Sequence, residues 1–151
     1  MKNKVKIFLI ALVIILGLFL FFSNKKPADQ IFLEINNIKI KVDIADELSE
    51  QTKGLAGKKR LTEDEGLLFV YPDYKTRSIW MKGMLFPIDI IWILDGTIVG
   101  IEKDISPHDQ LKIYTSPELI NYILEVNAGL SSRNNIKVGD KINLIYEIHQ
   151  D

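Results

Sequence analysis

The sequence contains no cysteine and only two histidines in 151 residues. Disulfides, thiolate-held metals and a cysteine nucleophile are therefore excluded together. His108 and His149 lie far outside His-x-x-x-His spacing, so no histidine pair is set up for a metal, and His108, between Pro107 and Asp109, reads as an exposed loop residue. Met81 and Met84 are soft enough for copper, but beside Trp80 and Leu85 they read as core filler. No metal or cofactor is expected. A nucleophile elbow, a phosphate loop and a dinucleotide fingerprint are all missing as well. The first 26 residues hold no acidic side chain and five of the 19 basic ones; the remainder carries 14 basic against 20 acidic, a net −6. An acidic domain with no basic patch has little to offer a phosphate backbone, which argues against nucleic acid as a partner.

What is present divides the chain in two. Residues 7 to 22 are apolar without interruption. As a helix rising about 1.5 Å per residue the run covers roughly 24 Å, slightly short of a bilayer core of about 30 Å, and Val5 with the flanking lysine stems extends it by snorkelling. A cleaved signal peptide has a shorter apolar region, about 7–15 residues, followed by small residues. Here Ser23-Asn24-Lys25-Lys26-Pro27 follows, with no Ala-x-Ala pattern. The expectation is an uncleaved single-pass anchor over residues 1–26, with export after signal cleavage as the alternative. Lys2, Lys4 and Lys6 precede the run and Lys25 and Lys26 follow it. The positive-inside bias then leaves the N-terminus in the cytoplasm and places the domain outside.

Residues 27–30 form a short linker, and a β domain is expected over 31–148. Ile38, Ile40, Val42 and Ile44 alternate with charged residues, and Asn36-Asn37 before them suits a two-residue turn with positive φ, so a hairpin opens the domain. Asp46 to Gly57 predicts a short helix capped by Asp46 or Ser49 and stopped by Gly54 or Gly57. Strands are expected at 66–71, 76–83, 88–94 and, after Asp95-Gly96, at 97–103. Ser116-Pro117-Glu118 resembles a helix start before a strand at 121–127, and Gly139-Asp140 turns into a last strand at 141–148. Many short strands, one or two short helices and no alternating βα pattern predict a mainly β, compact sandwich or barrel-like domain.

Several motifs occur in one order: Gly54-Leu55-Ala56-Gly57, Glu65-Gly66-Leu67-Leu68-Phe69, Trp80-Met81-Lys82, Pro87-Ile88-Asp89-Ile90-Ile91-Trp92, Tyr114, Leu124-Glu125-Val126-Asn127-Ala128-Gly129 and Ile136-Lys137-Val138-Gly139-Asp140. In this register the chain resembles the DUF192 family (also called UPF0127) over residues 31 to 148. The resemblance implies a compact β-sandwich, often behind a signal or anchor segment, in bacterial and archaeal proteins, and no established activity. Gly83 departs from the pattern, in which an Asn usually follows Trp-Met-Lys.

Asp89 stands in the most apolar stretch of the domain, where a carboxylate must be paired or hydrogen-bonded. It is read either as a site carboxylate or as a structural one. Lys82 is its expected partner across a short hairpin connection, with Trp80 on the same face: either a small-ligand site or an ordinary hairpin lock. Glu125 interrupts Tyr122-Ile123-Leu124 and Val126 similarly. Trp92 reads as core. Tyr71 and Tyr74, flanking Pro72-Asp73, are candidates for exposed contacts, and the loops near Tyr71 and Tyr114 are further ligand-binding candidates. The leading expectation is a non-catalytic binding module on the outer membrane face, for a small ligand, glycan or envelope protein. A rival is an envelope hydrolase acting on glycan through Asp89 and Glu125. A third is an interaction domain within an envelope complex.

Overall fold

The computed structural model describes residues 30–147, so the apolar segment and linker expectations lie outside the described residues. Among the described residues no helix is long and apolar enough to cross a membrane. Strands β1 (Gln30–Ile35) and β2 (Ile38–Ala45) form the expected hairpin, with Asn36 at φ 50° and Asn37 at φ 67°. The two positive φ values match the twist of the flanking strands, which is why Asn serves at both positions. Ile40 and Val42 are buried on one face of β2, and Ile38 and Ile44 pack against the same cluster.

Helix α1 (Leu48–Lys53) is shorter than expected and its cap is different. Glu47 occupies the cap position, and the Glu50 carboxylate accepts its backbone N–H at 3.3 Å. Gly54 ends the helix at φ 50°, ψ −136°, a conformation that penalises any side chain. Gln51 fastens the helix to the sheet by donating to the carbonyls of Ala45 and Val70. Strand β3 (Glu65–Lys75) then pairs parallel to β2, so a βαβ crossover exists where no βα pattern was expected. The 19-residue connection hides it, because only six of those residues are helical.

The second correction concerns β4 (Ser78–Trp80). It does not form a hairpin with β5 (Ile88–Leu94), but pairs with β7 (Ile113–Thr115) in a separate two-stranded sheet. Met81 and Met84, both buried, pull the chain inward after Trp80, and Gly83 turns it at φ 77°. Met–core burial outweighs the local hairpin. Strand β6 (Thr97–Ile105) follows β5 through Asp95-Gly96, both at positive φ, as expected. Ser116-Pro117-Glu118 is a turn, not a helix start, before β8 (Ile120–Asn127). Helix α2 (Leu130–Arg133) and β9 (Ile142–Glu147) complete the domain.

The main sheet is mixed and open, ordered β6-β5-β8-β3-β2-β1-β9. Its edges meet at one end, where Thr97 bridges Lys141 and Ile142 N–H donates to the Gly96 carbonyl at 2.9 Å. The expectation of a mainly β domain holds, but one sheet carries both cores in place of two facing sheets. On one face Leu33, Ile40, Leu68, Ile91, Leu124 and neighbours form the first core. On the other, Phe69, Ile90, Trp92 and Ile123 pack against Leu55, Met81, Met84 and Tyr114 from the overlying loops and β7. β5 is buried on both faces, hence its unbroken apolar sequence.

Candidate functional site

Asp89 and Glu125 occupy neighbouring central strands but point to opposite faces. Glu125 pairs with Ile90 and Leu67 across the sheet, whereas Asp89 pairs with Val126. Alternation along the strands therefore sends Glu125 into the Phe69–Trp92 side and Asp89 into the other. A glycosidase-type acid and base must flank one bond; these two carboxylates have a sheet between them. The hydrolase reading through this pair is overturned.

Asp89 is fully buried. Its Oδ1 accepts the backbone N–H groups of Asp104 (2.9 Å) and Gly129 (3.1 Å), and its Oδ2 accepts that of Ser131 (3.0 Å). It ties the end of β6 to the turn that opens α2. Lys82 is not its partner: it lies on the other side of the sheet, with its Nζ 5.1 Å from the centre of the Trp80 ring.

Glu125 has no comparable set of donors. It is 3% exposed, and Oε2 has no hydrogen-bond partner. Burial pushes its carboxyl up to about 8, with the Leu55 backbone amide acting in the opposite direction. That direction favours the protonated carboxyl at neutral pH, whose hydroxyl is then free to donate. Gly54 permits this arrangement, since a Cβ there would lie 3.6 Å from Oε2 and 3.3 Å from Phe69 Cζ.

A cleft of about 200 Å3 opens over Glu125. Phe69, Leu55, Ile79 and Met84 give it apolar walls, and Trp80, Lys82 and Lys53 stand around it. Trp80 is 53% exposed, because β4 turns Ile79 inward and its neighbours outward. Of the six residues expected in a site, Trp80, Lys82 and Glu125 are brought together. Lys53 and Gly54 were missed as site residues: both belong to a segment whose sequence speaks only of helix termination.

Tyr71 is not an exposed loop residue. It lies within β3, half-buried on the Glu125 face, under the Arg77 guanidinium, 3.9 Å from its ring centre. Burial raises its phenol above the ordinary value; Arg77 opposes this and Glu125 adds to it. Arg77 also pairs with Asp73. Tyr74 donates to Asp95 at 2.9 Å. Tyr114 faces the core from β7, and its hydroxyl donates to Asp109 at 3.1 Å, so it is a packing residue outside the cleft. Burial, with that contact, raises its phenol too. No cluster of three or more His, Cys, Asp or Glu suited to a metal occurs among the described residues.

Comparison with known proteins adds a family but no activity. No curated protein matches the chain. A crystal structure from Sinorhizobium meliloti 1021, titled a "putative transcription regulator", is 30% identical, with a TM-score of 0.71, and the match covers 77% of this chain and 93% of that one. A protein of unknown function from Novosphingobium aromaticivorans DSM 12444 is 26% identical, with a TM-score of 0.70, covering 76% and 83% respectively. Residues 31–144 match the model of DUF192, described as "Uncharacterized ACR, COG1430", and on that match the chain belongs to the DUF192 family.

Proposed function

We propose that the domain is a binding module for a small polar ligand, held on the outer face of a membrane by the apolar segment at residues 7–22. One observation supports the binding reading above the rest: the buried Glu125 carboxyl, with an unpartnered oxygen, at the floor of a cleft. Leaving a buried polar atom unpaired costs about 1–3 kcal/mol. A ligand that supplies the missing partner recovers that cost. Trp80 supports the same reading, as a large exposed aromatic at the rim of the same cleft. The net charge of −6 after residue 26 weighs against carrying over transcriptional regulation from the Sinorhizobium relative.

The test is a thermal-shift screen of the protein against small polar compounds. The expected result is a ligand that raises Tm saturably in the wild type and loses its effect in Trp80→Ala and Lys82→Ala. A ligand that stabilises wild type and both variants equally places the site elsewhere and overturns the assignment.

A further inference from the structure

The cleft differs in charge from the domain average. The domain is acidic, yet Lys53 and Lys82 are the charged side chains around this opening, and no carboxylate among the described residues forms an ion pair with either. The carboxyl inside belongs to Glu125, which is buried beneath them. The entrance thus favours negative charge although the domain as a whole is acidic. Volume narrows the choice further. About 200 Å3 is below the roughly 300–1,000 Å3 of sites for drug-sized ligands, and leaves room for one ring. The lining is two-sided. Phe69, Ile79, Met84 and the Trp80 indole present apolar surface, whereas Gln51, Thr52 and Ser78 add polar residues, the Gln51 amide being tied to the Ala45 and Val70 carbonyls and the Thr52 and Ser78 hydroxyls to Leu48 and Thr115. Such a lining matches a hydroxylated ring with one apolar C–H face.

Resting on the binding reading above, we propose that the ligand is an acidic sugar unit: a pyranose ring bearing a carboxylate, its carboxylate met by Lys53 and Lys82, its ring against Trp80, and one ring or hydroxyl oxygen hydrogen-bonded to Glu125. Lys82 is exposed and lies over Trp80, so it can swing toward the carboxylate as the ring takes its place on the indole. Glu125 donates from its protonated form. The ionisable groups around it are Lys53 from α1, Lys82 from the turn after β4, and Tyr71 from β3 with Arg77 stacked on it.

Calorimetric titration of the protein with glucuronate and galacturonate, against glucose, acetate and inorganic phosphate, tests this. At least one uronate should bind saturably, and glucose, acetate and phosphate each at least tenfold more weakly. Lys53→Gln and Lys82→Gln, both exposed positions that do not threaten the fold, should each weaken uronate binding several-fold. Because burial pushes the Glu125 carboxyl up to about 8, uronate affinity should fall severalfold from pH 7 to pH 9. Glu125→Gln retains an N–H donor that does not titrate and should abolish that pH dependence, while Glu125→Leu abolishes binding. Equal binding of glucose overturns the carboxylate requirement, and equal binding of acetate or phosphate overturns the sugar. Failure of both uronates overturns the proposal whole. If the thermal-shift screen still yields a Trp80-dependent ligand in any of these cases, the binding-module reading survives without it.

Discussion

Asp89 accepts three backbone N–H groups, two of them on one oxygen, so its negative charge is satisfied at full burial. Asp89→Asn presents an NH2 to at least one of those donors. It should destabilise the domain by about 2–4 kcal/mol in denaturant unfolding, with ligand binding unchanged in the molecules that remain folded. Glu125 behaves in the opposite sense. Its folded pKa of about 8 lies above the 4.5 of the free side chain, so the folded state holds a proton that the unfolded state has released between those values. Stability must therefore fall as pH rises from about 5 to about 8, by an amount on the order of a few kcal/mol, and level off above. Glu125→Gln should remove that slope and leave the variant more stable than wild type at pH 8. A wild-type slope that persists in Glu125→Gln would assign the effect to another group. Each carboxylate was legible as an anomaly within an apolar run. Their different roles were not, because neighbouring N–H groups from residues 15 to 42 positions away decide them.

The turns divide by where their determinants lie. Asn36-Asn37 and Asp95-Gly96 were legible because positive φ is a local demand met by the residues in the turn itself. The β4–β7 pairing was not, since it joins segments more than 30 residues apart and depends on Met81 and Met84 entering the core. The segment from Gly54 to Gly57 belongs to both classes. Its glycines mark the helix end in sequence, but only the packed structure brings Gly54 against Phe69 and Glu125. Gly54→Ala should cost about 1–3 kcal/mol from its φ of 50° alone. The added methyl also narrows the cleft, so the ligand found in the thermal-shift screen should bind more weakly to this variant. Unchanged affinity would place the ligand away from this wall.

At the scale of the whole molecule, the N-terminal segment and the β domain make separate predictions. Protein carrying residues 1–26 should sediment with membranes and be released by detergent but not by high salt, and protease added to intact protoplasts should digest the domain. Release by salt alone would overturn the anchor. The sequence by itself determined the mainly β character, the opening hairpin, the acidic domain and the family, because alternation, turn chemistry, charge and motif order are properties of neighbours along the chain. Tertiary structure alone decided the parallel crossover of β2 and β3, the opposite faces of Asp89 and Glu125, and the cleft that unites Lys53, Trp80, Lys82 and Glu125. Those features depend on which strands become neighbours. Strand order follows from burying two apolar faces of one sheet at once, a condition on the whole chain that no local stretch of it expresses.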